Sequence, residues 1–346
     1  MTAQRSNFTE KNMKVLFITE GNKNIGMGAL YDCVILAKRF REKFNPKIKF
    51  LISHDSDSGA EGFLLNGYNI ERVNITDTKY FLNTIKKFKP DIVVRDLLNL
   101  KEDFVDGLGK FKAAVIDVSH KSDFKGRLKA DIVINLLYHS KDVKCLYGPR
   151  HAILDSKFKN LRKKKIKNIA KNLLVSFGGS DVNNLTLKLM KVLDKLGLAS
   201  RVNVVIGPGF GSERKIDKLL RRMTNPKRFI INRKVADMLS LMLDSDLAFV
   251  SGGRTICELA ATGTPGVVFA QNELEYGRLK EFQKWKSVIT YGYFSNDEEK
   301  LASDIKNIIL NKSLRERMSR KGQKTVDGEG VDRIIDAVLE IRNEKN

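Results

Sequence analysis

The chain is 346 residues long, with 42% hydrophobic and 30% charged residues, and lysine plus arginine outnumber the acids 63 to 41 for a net charge of +22. This length exceeds what one hydrophobic core usually organises, so two domains are expected, and the hydrophobic content excludes a disordered chain. The charge favours acidic partners, namely nucleotide phosphates, an anionic membrane face or nucleic acid.

Met1 to about Lys14 is polar and lacks a signal-peptide core, and no apolar run approaches the roughly 20 residues of a membrane helix. The expectation is a protein that is neither secreted nor membrane-spanning. Val15 to Thr19 reads as a buried strand, followed by the loop Glu20 to Gly28 and a helix from about Ala29 to Lys43. The loop carries Gly26 and Gly28 but no Walker lysine, and by itself it reads as a plain turn. Short strands follow at Phe50–Ser53, Ile70–Val73, Asp91–Val94, Ala113–Ile116 and Asp131–Asn135, with helical stretches at Thr78–Phe88 and Lys101–Leu108 between them. This alternation implies a parallel sheet covered on both faces, a doubly wound first domain over residues 1–160. Cys33, Cys145 and Cys257 are widely spaced, without pairing or metal-ligand pattern, so a reducing cytoplasm is expected and no metal or cofactor is.

Between Asp155 and Asn172 the sequence turns polar and basic, with Lys163, Lys164, Lys165 and Lys167 close together. We place the interdomain connection here, and read the lysines as a solvated face that would also favour weak association with an anionic membrane surface at the cytoplasmic side. Residues 161–346 repeat the alternation. Leu173 to Phe177 is a strand, followed by Gly178, Gly179, Ser180 and Asp181 and a helix over Leu185–Leu196. Asn203–Ile206, Glu213–Met223, Phe229–Ile231 and Ala236–Leu243 read as strand, helix, strand and helix.

The stretch from Asp246 to Gln271 carries the most chemistry. Asp246 to Val250 is a short apolar strand, the chain turns at Gly252 and Gly253, and a helix follows that Gly263 and Pro265 close. Glycines let a backbone approach a ligand, and the amides opening a helix carry about half an elementary positive charge, so a phosphate fits there. Glu258, about one and a half turns further on, could accept hydrogen bonds from ribose hydroxyls. Two strand–glycine–helix units in one half suggest a nucleotide at the carboxyl ends of parallel strands. Val288–Tyr291, Lys300–Leu310 and Val331–Arg342 complete the domain, the last helix being able to cross back to the first. No zinc-finger, RNP or basic-zipper pattern accompanies the charge, so no specific nucleic acid is expected.

Taken together, Ile25-Gly26-Met27-Gly28, Phe177-Gly178-Gly179-Ser180-Asp181 with Asn184-Leu185-Thr186, Ser251-Gly252-Gly253 through Glu258 to Gly263 and Pro265, and Val326-Asp327-Gly328-Glu329-Gly330 run nearly the length of the chain. In that order they resemble the UDP-sugar hydrolase family of pseudaminic acid biosynthesis and, more distantly, the glycosyltransferase that adds N-acetylglucosamine in peptidoglycan synthesis. The resemblance implies an α/β GT-B architecture, two doubly wound parallel-sheet domains facing across a cleft. UDP would lie on the C-terminal domain, with the sugar toward the loop of Gly26, Gly28 and Ala29. It further implies that Gly252, Gly253, Arg254 and Thr255 hold the diphosphate and Glu258 the ribose. Gly179, Ser180 and Asn184 would shape the cleft, and uracil would meet the backbone near Val235.

One departure bears on mechanism. The family usually has a histidine base where this chain has Ala29, and an arginine where it has Asp32. Alanine cannot take a proton, and a lost general base costs about 10²- to 10⁴-fold. His54, His120, His139 and His151 all lie outside the loop. Glu20, Asp96 and Asp117, each at or after the end of a predicted strand, are the candidate catalytic residues. Three readings follow: a hydrolase-like enzyme releasing UDP from an amino-deoxy sugar, a GT-B glycosyltransferase in which Glu20 or Asp96 takes the acceptor's proton, and a non-catalytic UDP-sugar-binding protein.

Overall fold

The computed structural model describes residues 12–345, apart from 23–25, 57–64, 75–76, 99–106, 108–110, 120, 125–126, 199, 208, 234 and 236. The predicted helix over 101–108 falls almost wholly outside the described residues. The chain divides into two compact units, one of Met1–Ile153 with Gly330–Asn346 and one of Leu154–Glu329.

The first unit is built on strands β1 (Lys14–Thr19), β2 (Lys47–Ser53), β3 (Asn69–Val73), β4 (Ile92–Asp96), β5 (Ala114–Ser119), β6 (Ile132–Asn135) and β7 (Cys145–Tyr147), in the order β3-β2-β1-β4-β5-β6-β7. Every pairing is parallel. Strands buried on both faces read as unbroken apolar runs, and successive side chains divide between the two layers. Thus Val15 and Phe17 join a core that includes Leu36 and Phe40 of helix α1 (Gly28–Phe44). Leu16 and Ile18 join another with Phe81 and Ile85 of α2 (Thr78–Phe88). Asp77 caps α2 by accepting the Tyr80 amide at 2.9 Å.

The second unit carries β8 (Asn172–Ser176), β9 (Arg201–Ile206), β10 (Phe229–Arg233), β11 (Leu247–Ser251), β12 (Gly266–Phe269) and β13 (Val288–Thr290), parallel throughout in the order β10-β9-β8-β11-β12-β13. Its helices are α3 (Leu185–Lys195), α4 (Glu213–Leu220), α5 (Met238–Asp244), α6 (Thr255–Thr262), α7 (Glu273–Lys284), α8 (Glu298–Leu310) and α9 (Lys312–Thr325). Asp237, Asn272, Asp297 and Asn311 cap α5, α7, α8 and α9 with side-chain oxygens. Two such doubly wound sheets in one chain form the α/β architecture of the GT-B class.

Several elements escape the apolar pattern. The strands β7 and β12 are very short. Helix α9 is too polar to show a hydrophobic face: its buried positions include Arg315, Ser319 and Gly322. Arg315 is held by main-chain carbonyls of Ile308 and Asn168, at 3.0 and 2.8 Å. The lysine run is not wholly a solvated face either. Lys164 donates to the carbonyls of Met242 and Leu243 at the end of α5, at 3.0 and 2.7 Å, and burial pulls its ammonium down to about 8. Lys167 lies 3.2 Å from Asp246.

The final helix, α10 (Gly330–Lys345), belongs to the first unit, where Ile334, Ile335 and Val338 enter the core of Val15 and Phe17. Asp332 receives Arg39 at 2.8 Å and Lys43 at 3.0 Å. The glycines before it have steric reasons. Gly328 is left-handed at φ 80°, and a Cβ there would meet the Phe158 carbonyl oxygen at 2.4 Å; at Gly330 it would meet that of Ala152 at 2.2 Å. Gly330→Ala must displace backbone, and we expect it to lower stability by about 1–3 kcal/mol, read as an earlier urea midpoint with Val331→Ala as the comparison for plain core loss.

Candidate functional site

In open parallel sheets, ligands bind outside the carboxyl ends of the strands where the strand order reverses. In the second unit that point is between β8 and β11: β9 and β10 lie to one side of β8, β12 and β13 to the other side of β11. Both glycine turns of the sequence emerge here.

The turn after β8 runs Phe177 to Asp181. Gly178 is left-handed at φ 80°. Gly179 is exposed and Ser180 half-buried. A neighbouring turn supports them from behind. A Cβ on Gly207 would lie 2.4 Å from the carbonyl oxygens of both Gly178 and Gly179, and the Gly209 amide donates to Gly179 at 2.8 Å. Asp181 accepts the amides of Leu185 and Thr186 at 2.8 and 2.9 Å, anchoring α3; burial pushes its carboxyl up, against those hydrogen bonds. Asn184, half-buried and left-handed at φ 52°, opens the helix.

The turn after β11 holds Gly252, Gly253 and Arg254, with Thr255 the first residue of α6. These glycines differ. Gly253 would have no atom within 4 Å of an added Cβ, whereas at Gly252 that Cβ would come to 2.9 Å from Cβ of Glu275. Open space at Gly253, with the amides that open α6 just behind it, is suited to an anion. Arg254 Nη1 lies 3.5 Å from Glu258 Oε1, with 20% and 15% of these side chains exposed. The pair is therefore partly accessible at the start of α6. Among the described residues, no group of three or more His, Cys, Asp or Glu could hold a metal ion.

A third loop joins from β12. Gln271 donates through Nε2 to the Phe177 carbonyl at 2.6 Å and receives Asn183 Nδ2 on its own carbonyl at 2.5 Å. Glu275 Oε2 accepts the amides of Gly252 at 3.1 Å and Gln271 at 2.9 Å. Burial pushes the Glu275 carboxyl up, while the two amides and Arg278 pull it back. Sequence reasoning missed Gly207, Asn183, Gln271 and Glu275 as parts of this site. A signal existed for Glu275: Asn272 and Glu275 have capping-box spacing, and Asn272 Oδ1 does accept the Glu275 amide at 2.9 Å. The carboxylate, however, turns to the neighbouring loops. Val235 is half-buried between residues outside the description.

The first unit has its own reversal between β1 and β4, where Thr19 is in register with Asp96. Glu20, half-buried, accepts the Leu98 amide through Oε1 at 2.6 Å. Asp96 is 4% exposed. Asp117 differs from both: it is 1% exposed and takes Arg95 Nε and Nη2 on its two oxygens, each at 2.5 Å, with Arg95 itself fully buried. Burial pushes its carboxyl up and Arg95 opposes this. Its geometry is that of a buried structural pair. In the glycine loop, Gly26 is left-handed at φ 84° and exchanges main-chain hydrogen bonds with Asn22 at 3.2 and 2.8 Å. Gly28 and Ala29 form the half-buried first turn of α1, and Asp32 is buried. His54 and His139 are exposed, His151 is bonded to the Tyr147 carbonyl at 2.9 Å, and His120 lies outside the described residues.

Residues 173–334 match the model of the glycosyltransferase family 28 C-terminal domain. The chain is 32% identical over 278 residues to the uncharacterized protein MJ1062 of Methanocaldococcus jannaschii, covering 76% of this chain but only 57% of that relative's length. It is 25% identical to the spore coat polysaccharide biosynthesis protein SpsG of Bacillus subtilis, over 95% of this chain and 98% of SpsG. Among solved structures, MurG of Acinetobacter baumannii superposes with a TM-score of 0.71 at 13% identity, covering 95% of this chain and 99% of that one. These findings correct the assignment made from the motifs. A UDP-2,4-diacetamido-2,4,6-trideoxy-β-L-altropyranose hydrolase of Campylobacter jejuni is also similar, at 23% identity over 71% of this chain and 87% of its own. The glycosyltransferase model over residues 173–334 and the near full-length match to SpsG nevertheless overturn the assignment to the hydrolase family. The physical reason for the error is that the motifs behind it are glycine turns and a following glutamate, a local pattern that does not separate the two kinds of enzyme.

Removing one partner of a buried ion pair strands the other charge, at a cost of about 3–5 kcal/mol. Asp117→Asn should therefore lower the chemical unfolding midpoint strongly, whereas Glu20→Gln, at a half-buried position, should move it much less; equal shifts would refute the assignment of Asp117 as the structural member.

Proposed function

We propose that the protein is a GT-B glycosyltransferase of the family 28 type that takes a UDP-sugar as donor and acts in the assembly of a surface polysaccharide. The observation that carries this reading is the pair of strand–turn–helix units at the β8/β11 reversal, both lying inside the segment that matches the glycosyltransferase model. The near full-length similarity to SpsG supports the polysaccharide context.

In this reading the diphosphate rests at the start of α6, against the amides of Gly253, Arg254 and Thr255 and the guanidinium of Arg254. Preorganised donors at a leaving group are worth most where water is excluded, because they need no reorganisation as charge develops. Glu258 exchanges part of its interaction with Arg254 for the ribose hydroxyls. In the reaction an acceptor hydroxyl oxygen bonds to the anomeric carbon, the bond from that carbon to the β-phosphate oxygen breaks, and UDP leaves with the electron pair. The hydroxyl proton passes to a carboxylate. Glu20 suits this better than Asp117, whose oxygens are both engaged by Arg95, and Asp96 at the same strand reversal is the other candidate. Ala29 takes no part in proton transfer.

The test is calorimetric titration with UDP, CDP and ADP, then phosphorus NMR of a UDP-N-acetylhexosamine with and without oligosaccharide or lipid-linked acceptors. Acceptor-dependent UDP release supports the proposal; failure of UDP to bind overturns it. Glu258→Ala should weaken UDP binding by about 1.5–3 kcal/mol, the range for hydrogen bonds to a charged group. An unchanged affinity would remove Glu258 from the ribose.

A further inference from the structure

We propose that Glu275 is a positioning residue for the diphosphate turn: its carboxylate fastens the loops after β11 and β12 together and, by occupying the Gly252 amide, moves the phosphates onward to Gly253, Arg254 and Thr255. This rests on the reading of that turn as the UDP-sugar site.

Three observations carry it. A single oxygen, Oε2, receives both the Gly252 amide at 3.1 Å and the Gln271 amide at 2.9 Å. Hydrogen bonds to an ionised acceptor are roughly twice as strong as neutral ones, and joining two loops at one oxygen ties their positions together. Gln271 extends the tie through its side chain to Phe177 after β8, and Asn183 holds the Gln271 carbonyl. All three loops at the β8, β11 and β12 strand ends are thereby cross-linked around the start of α6.

The glycine at 252 has a different reason from the one its place in a nucleotide motif suggests. Its φ is not in the left-handed region, so its backbone tolerates a side chain. What forbids one is Glu275 itself, whose Cβ would be 2.9 Å from the added carbon, whereas Gly253 faces open space. Position 252 is small so that α7 can approach closely enough for its carboxylate to reach the amide. An amide already donating to a carboxylate is a poor phosphate donor, and a phosphate placed beside that carboxylate would be repelled. The anion-binding edge therefore begins one residue later than the motif implies.

Replacement of Glu275 separates clamp from charge. Glu275→Gln keeps a carbonyl oxygen for both amides and removes the negative charge; Glu275→Ala removes the acceptor; Glu275→Asp keeps the charge but withdraws the oxygen. Amide hydrogen exchange at Gly252 and Gln271 reports the clamp without ligand, and UDP titration reports its consequence. We expect Ala and Asp to lose protection at both amides and to bind UDP roughly tenfold more weakly, while Gln keeps protection and binds at least as tightly as the wild type. Should the Ala variant fail to fold, the Asp and Gln pair carries the comparison. Unchanged protection in Ala or Asp overturns the clamp, and UDP affinity equal to wild type in Ala or Asp, or as weak in Gln as in Asp, overturns the positioning role. If the wild type itself binds no UDP, the proposed function falls, and the placement of the diphosphate with it, whatever the exchange data show.

Discussion

A parallel sheet has to be covered on both faces, and the rest of this protein follows from that requirement. Each strand returns by a crossover to the same edge, so the carboxyl ends of all strands, and the loops leaving them, gather on one side. The reversal of order separates adjacent loops into opposite layers and opens a crevice between them. In the second unit, the two loops so separated are Phe177–Asp181 and Ser251–Arg254; in the first, they are those after Thr19 and Asp96. Residues far apart in sequence thus become neighbours through the winding of the chain.

What the winding brings together is then held by polar contacts of quite different kinds. Around α6, one carboxylate, one carboxamide and a row of main-chain groups join three strand-end loops. In the first sheet, Arg95 and Asp117 neutralise one another on adjacent strands with almost no exposure. Such a pair contributes little net stability over apolar residues of similar size, but losing half of it is costly, so it constrains what the sheet can tolerate. The carboxylates thus divide by what engages them: Glu275 and Glu20 accept main-chain amides, Asp117 takes a buried guanidinium, and Glu258 lies beside the partly exposed Arg254.

The end of the chain shows how local sequence serves topology. Gly328 and Gly330 pass so close to Phe158 and Ala152 that a side chain at either would strike main-chain oxygen. Helix α10 then packs into a layer of the first unit beside α1, its Ile334, Ile335 and Val338 joining Leu36 and Phe40 in one core.

The amino-acid sequence by itself determined the class of fold. Unbroken apolar strands such as Val15–Ile18 and Leu173–Val175 can only sit in sheets covered on both sides, and the Asp and Asn caps start helices by contacts within a few residues. It also located the turns at Gly178 and Gly252, because those signals are local. Elements whose burial is polar or brief, such as α9 with Arg315 and Gly322 or the short β12, left no periodic trace. The choice between hydrolase and transferase was not legible from glycine turns, whose local pattern is common to both. Tertiary structure alone decided which carboxylates are engaged: Asp117 meets Arg95 and Glu275 meets Gly252 only because strand order places them together. The spacing along the chain, 22 residues in one case and 23 in the other, carries no sign of either contact.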